Sequence, residues 1–417
     1  MFSRYCFLSL FLLITTMLSA RQIAFPDADG FGRYAIGGRG GEVYHVTNLK
    51  DTGLGSLRDA VSKPHRTVVF DISGVIRLES RLTIASYITI AGQTAPGDGV
   101  TVYGNGVSMT GANDVIIRHI RLRGSINMGR GVCTLAADNA HDIIFDHLSI
   151  EWGRWDNLHI KESRDITVQY CIIGEGIDPQ MFGALLENPT NLTIHHCLWI
   201  DNQSRNPKAK AGIEIINNVI YNWKGNGLVG GHSAADHYQD IINNYFIAGP
   251  NSSRTFIGMC TATDHIYQRG NWVDLDKDGT LNGGLATKED FERTTATLLE
   301  KPSCPSLTEQ NIEDAAAAVK KVIAKAGSSL HRDAVDERLI SYVKSFGKEG
   351  KIITNEAEVG GQPNVPSVKA ATDSDGDGMP DNWEKANNLN PNNAADGNVV
   401  ATDGYTQLEH YLNNLVK

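Results

Sequence analysis

The feature that most constrains this chain is a drifting repeat of short apolar strands, each closing on a small polar or cysteine-containing cluster. The clusters are Arg118-His119-Ile120, Phe145-Asp146-His147, Gln169-Tyr170-Cys171, His195-His196-Cys197, Ile216-Asn217-Asn218 and Ile242-Asn243-Asn244, at successive offsets of 27, 24, 26, 21 and 26 residues. Apolar residues alternate ahead of them, without helical spacing. One such unit cannot bury its apolar side alone. Stacking on the next unit does, and the result is a parallel β-helix. Gly37-Gly-Arg-Gly-Gly41, Val43-Tyr-His-Val-Thr47, Thr67-Val-Val-Phe-Asp71 and Tyr87-Ile-Thr-Ile-Ala91 supply the first coils and their cap. The fold class expected is therefore all-β.

The chain has 417 residues, and its 42 glycines fit many turns between short strands. Residues 1–20 read as an export signal: Arg4 is the charge, Phe7 to Met17 the apolar stretch, and Leu18-Ser19-Ala20 a small-residue cleavage site. That stretch is too short to span a membrane. The expectation is a secreted, periplasmic or cell-surface protein, without a membrane span and monomeric. Five cysteines remain beyond the signal: Cys133, Cys171, Cys197, Cys260 and Cys304. Cys171 and Cys197 hold the same place in consecutive coils and read as stacked buried thiols. A formal net charge of -10 excludes a generally basic nucleic-acid binder, but not a local cationic cleft for an anionic partner.

The repeat spans residues 21–285. Residues 286–359 form a helical extension, with helices expected over Ile312 to Lys325, closed by Gly327, and around Asp336 to Phe346. Residues 360–371 carry Gly, Pro and Ser and read as a linker. Residues 372–417 form a small acidic module. There, Asp373, Asp375, Asp377, Asp381 and Glu384 occupy positions 1, 3, 5, 9 and 12 of a calcium loop, with Gly378 at the turn and the Met379 carbonyl as a further ligand. Asp403-Gly-Tyr-Thr-Gln-Leu-Glu409 resembles half of a second loop, with Val399 and Ala401 where earlier ligands would stand.

Six segments carry a family likeness: Gly37-Gly-Arg-Gly-Gly41, Val46-Thr-Asn-Leu49, Gly55-Ser-Leu-Arg58, Ala91-Gly-Gln-Thr-Ala-Pro-Gly97, Phe145-Asp-His147 and Ser204-Arg-Asn-Pro207. Together they resemble the pectate lyase family of secreted bacterial polysaccharide lyases, over roughly residues 24–345. The resemblance implies a right-handed parallel β-helix and β-elimination on an acidic polysaccharide, usually with calcium.

β-Elimination removes the proton on C5 of a uronate while the C4 oxygen leaves. That carbon acid is weak, so the neighbouring carboxylate must be neutralised by cations and a base held within hydrogen-bond reach. Arg205 with Pro207 matches the family's Arg-x-Pro base. A neutral arginine requires nearby cations, and Lys208 and Lys210 are the obvious ones. Lys210 stands where the family often has a second arginine. Asp156 matches one family calcium ligand. An earlier ligand falls near Cys133, and a catalytic lysine falls at Gln180 or Phe182. Glu151, Asp178 and Glu187 are other carboxylates that could build a cation site, unless basic side chains make one unnecessary. Trp155, Arg154 and Lys224 are expected to line the substrate groove; Trp152 and Trp199 either stack on sugars or pack inside. His195 and His196, adjacent on a strand, are expected to face opposite sides. Asn217-Asn218 and Asn243-Asn244 suggest an asparagine ladder. The leading function is cleavage of pectate; the alternatives are another uronic polymer or a non-catalytic carbohydrate-binding β-helix.

Overall fold

A computed structural model describes residues 21–292, 294–307 and 311–417; the expected export signal lies outside them. The repeat winds as a parallel β-helix of three sheets with 11, 10 and 8 strands, which pair in parallel from coil to coil except for Gly284–Leu285, antiparallel to Trp272–Asp274. Sheet 1 includes His141–Asp146, Arg164–Gln169, Thr190–His195 and Gly212–Ile216; sheet 2 includes Ser149–Glu151, Ile172–Gly174, Leu198–Ile200 and Val219–Tyr221. Sheet 3 includes Asp156–Lys161, Phe182–Glu187, Lys208–Lys210 and Leu228–Gly230. Register is in step from coil to coil, with Ile143 beside Ile166 and Ile166 beside Leu192. Stacked, fully buried aliphatic side chains of this kind fill the interior. Burial of their apolar surface is the main stabilising term, at about 25 cal/mol per Å².

The bend between sheets 1 and 2 explains the polar clusters. His119, His147, Tyr170, His196, Asn217 and Asn243 all have positive φ, between 50° and 55°. Each turns the chain sharply, and the next residue in later coils points inward. There Asn218, Asn244 and Asn271 form a ladder: Asn244 Oδ1 accepts from Asn218 N at 2.9 Å, and Asn271 Oδ1 accepts from Asn244 N at 3.0 Å. Cys171 and Cys197 continue it toward the N-terminus. The Cys171 amide donates to Cys197 Sγ and the Leu148 amide to Cys171 Sγ, both at 3.4 Å. The stacked thiols are therefore buried and free. Outside the bend, the rings of His119, His147, Tyr170 and His196 stack at centroid spacings of 4.6, 5.0 and 4.9 Å.

This bend corrects the expectation for His195 and His196. Because His196 is left-handed, strand alternation ends there, and both rings line one polar cleft, their Nδ1 atoms 2.9 Å apart. Burial pushes both down to about 3; the His196 charge adds to the effect on His195, and the charges of Lys321 and Lys325 add to it on His196.

Helices Ala315–Lys325 and Ala334–Lys344 are capped by Asp314 and Asp333 and lay Val319, Val322, Leu339, Ile340 and Val343 on the outer face of sheet 2. An ionic cluster fastens the second helix: buried Arg123 binds Glu151 at 2.9 Å, Asp333 at 2.5 Å and Asp336 at 2.8 Å. Segment 360–371 is pinned along the first coils, where Ala370 N donates to Asp71 O at 2.9 Å and Ser73 N to Val368 O at 3.0 Å. The acidic module then packs Met379, Leu408, Tyr411 and Leu412 against Ala91, and Glu409 pairs with Arg39 at 2.7 Å.

Candidate active site

Loop 201–207 carries the chain from sheet 2 into strand Lys208–Lys210 of sheet 3. Buried Asn202 braces it: its Oδ1 accepts from Gly176 N and Asn157 Nδ2 at 3.0 Å, and its Nδ2 donates to Ile173 O and to Asn206 Oδ1. Arg205 itself has φ 60°, and the Asn206–Pro207 bond is cis. The Arg205 carbonyl accepts from Ala184 N at 2.8 Å, which ties the turn to the preceding coil.

From this turn the Arg205 side chain reaches back across the face of sheet 3. Its Nη1 donates to Asp156 Oδ1 at 3.2 Å and Oδ2 at 3.1 Å, and the guanidinium lies 3.9 Å above the Phe182 ring. Asp156 and Phe182 are register partners on adjacent coils. Phe182, in the region where the resemblance leads one to expect a lysine, is thus the apolar floor under Arg205. Burial raises Asp156 to about 6, opposed first by the Arg205 charge and then by His159. Lys208 is half-buried and its ammonium is lowered by that burial, then by Arg205 and Lys210. Lys210 Nζ lies 3.7 Å from Glu187. Arg205, Lys208 and Lys210 thus gather in one cationic patch.

The other expected residues divide. Lys224 is exposed, and its amide donates to Gln203 O at 3.1 Å, so it borders the Arg205 loop from the next coil. Trp155 is 36 % exposed and precedes Asp156, whereas Trp152 and Trp199 are fully buried. Arg154 is tied down: Nε donates to Asp178 O at 2.9 Å, and Nη1 to Ile126 O and Met128 O. Its guanidinium thus joins residues 126–128 to Asp178. Glu151 belongs to the Arg123 cluster under the helices, away from Arg205. Asp178 faces Arg130 and Arg154, at 3.5 and 3.6 Å. Glu187 is shared among Lys161, His159 and Lys210. Cys133 is a buried thiol pushed up to about 12, chiefly by burial.

These residues do not fit a resident calcium beside Arg205. Asp156 spends both oxygens on the guanidinium, and among the described residues no convergent group of three metal-ligating side chains includes it. The tail does fit one. Asp373, Asp375 and Asp377 converge, as do Asp377, Glu384 and Asp396. Met379 is fully buried. Asp381 differs from expectation: its carboxylate accepts the amide and hydroxyl of Ser374, at 2.8 and 2.9 Å. A further stretch, not among the expectations above, repeats the acid spacing: Asp274, Asp276 and Asp278, with Gly279 and Asn282 at the sixth and ninth positions. Asp274 Oδ2 accepts from Asn282 N at 3.2 Å across that loop.

No family model matches the chain. Against individual proteins the likeness is extensive. The chain is 43 % identical over 397 residues, 94 % of either chain, to a protein of Aspergillus fumigatus named probable pectate lyase C. It is 42 % identical over the same length to its namesake from Aspergillus flavus. Solved structures of a thermostable pectate lyase and of a pectate lyase bound to a hexasaccharide superpose with TM-scores of 0.53, covering 75 % of this chain and 99 % of theirs, at 14 and 13 % identity. The fold is that of a parallel β-helix polysaccharide lyase. The chain belongs to the pectate lyase family. The bacterial affiliation expected from the motifs does not hold for these relatives, which are fungal.

Proposed function

We propose that this enzyme cleaves pectate by β-elimination, with Arg205 as the base. The observation that carries the reading is the convergence of Arg205, Lys208 and Lys210 on one open face of sheet 3. A uronate carboxylate on that face meets the two ammonium groups, which acidify the C5–H bond. Arg205 takes the C5 proton, the C–H electron pair forms the C4–C5 double bond, and the C4–O bond breaks. The departing oxygen takes up a proton. Asp156 and Phe182 hold the guanidine in place, and exposed Trp155 offers a face to a sugar ring.

Lys224 extends the cationic border toward the next coil. Calcium is read as a component of the tail loop through Asp373, Asp375, Asp377, Met379 and Glu384. The protein is read as an exported monomer acting on an acidic polysaccharide; among the described residues no helix is long and apolar enough to cross a membrane.

The test is absorbance of the unsaturated uronate released from polygalacturonate and from methylated pectin, with calcium or with chelator. A rise on polygalacturonate that Arg205→Ala abolishes supports the reading. No rise on either polymer sinks it.

A further inference from the structure

The acidic tail does not close as a self-contained twelve-residue loop. Its ninth position, Asp381, turns to Ser374, and the carboxylate that faces Asp377 and Glu384 is Asp396, twelve residues past Glu384. Both oxygens of Asp375, both of Glu384, Oδ2 of Asp377 and Oδ1 of Asp396 are shut off from solvent without a hydrogen-bond partner. Glu384 is 0 % and Asp377 3 % exposed. Carboxylates buried together without donors are strongly unfavourable unless a cation compensates them.

We propose that one hard divalent cation of calcium type is held by Asp375, Asp377, Glu384 and Asp396, and that this ion clasps residues 372–417 to the first coils of the β-helix. The donor set is all oxygen, which suits calcium and disfavours zinc. Asp373 continues the same acidic run, and its neighbour across the interface is His45 Nε2 at 3.7 Å. The clasp follows from where the loop turns. Gly378, with φ 90°, lies so close to Val43, Val69 and Leu408 that a Cβ there would sit 3.0 to 3.4 Å from each. The next residue, Met379, is buried in the docking cluster with Ala91, Leu408, Tyr411 and Leu412. The ion-binding turn and the docking surface are therefore one piece of backbone. Asp396, on the connection between helices Asp381–Ala386 and Gln407–Asn414, draws the rest of the module to the same ion.

The inference rests on reading the tail as a calcium site and is independent of Arg205. The full-length protein, stripped with chelator, is titrated with terbium as a calcium stand-in. The signal is the part of the sensitised emission lost in Trp383→Phe, since Trp383 precedes Glu384. Asp396→Asn is expected to weaken terbium binding about tenfold or more, and Asp381→Asn by less than about threefold. Calcium is also expected to slow proteolytic release of the tail from the wild type, which needs no variant to fold. Should Asp381→Asn weaken binding more than Asp396→Asn, the self-contained loop is right and the present ligand set is wrong. Should calcium leave tail release unchanged while terbium binds, the clasp is wrong. No Trp383-dependent emission would remove the tail calcium reading itself.

Discussion

Arg205 rests its guanidinium on the buried carboxylate of Asp156, 3.1 Å away, while its own backbone belongs to the turn that starts two coils later. This bridge fixes an arginine beside Lys208 and Lys210 on the face of sheet 3. Asp156→Asn keeps the shape and removes the charge that holds Nη1. The expected outcome is a fall in kcat of about 10- to 100-fold with the fold intact, because a small misplacement of the base is costly. Steady-state kinetics beside a circular dichroism spectrum check it.

The same carboxylate sets a pH dependence of stability. Asp156 ionises at about 6 when folded, because of its burial, and near 3.9 when unfolded. Between those values the folded chain keeps a proton that the unfolded chain has lost. Stability contributed by this group is therefore present below about pH 4 and declines as pH rises toward 6. Urea unfolding at a series of pH values is expected to show a smaller slope over that window in Asp156→Asn than in the wild type. An unchanged slope would contradict the assignment.

Under the helices, Arg123 compensates Glu151, Asp333 and Asp336, all largely or wholly buried. Removing it leaves carboxylates without a counter-charge. Arg123→Ala is expected to cost about 3–5 kcal/mol. Adding Glu151→Leu should recover part of that loss, and denaturant midpoints of the single and double variants test this.

The ladder gives a smaller, position-specific effect. Asn244→Ala strands the Asn218 amide and removes the side-chain donor from the Ile215 carbonyl, for an expected loss of about 1–3 kcal/mol. Asn243→Ala, on the outer side of the same bend, should cost less by thermal denaturation.

How much of this was legible in the sequence follows from which signals are local. The coil period and the buried thiols were, because a β-helix repeats its interior at nearly fixed spacing. The pairing of His147 with His119 was not, since the cluster written Phe145-Asp146-His147 is one residue out of step with Arg118-His119-Ile120. Nor was the shared cleft of His195 and His196: a single left-handed residue defeats strand alternation. Arg205, Lys208 and Lys210 stood in one short motif and could be read together. The Asp156–Arg205 contact spans 49 residues and needed the coils in place. Glu151 lies close to Asp156 in sequence, yet the chain passes from sheet 2 to sheet 3 between them. Asp396 lacked any motif, whereas Asp274, Asp276 and Asp278 carried a readable one.

Elimination driven by Arg205 is decided by mass spectrometry of the oligosaccharide products. The expected fragments have new non-reducing ends one water lighter than hydrolysis would give, formed by the wild type and lost in Arg205→Ala. Fragments carrying the added water, or unsaturated ends formed undiminished by Arg205→Ala, would contradict it.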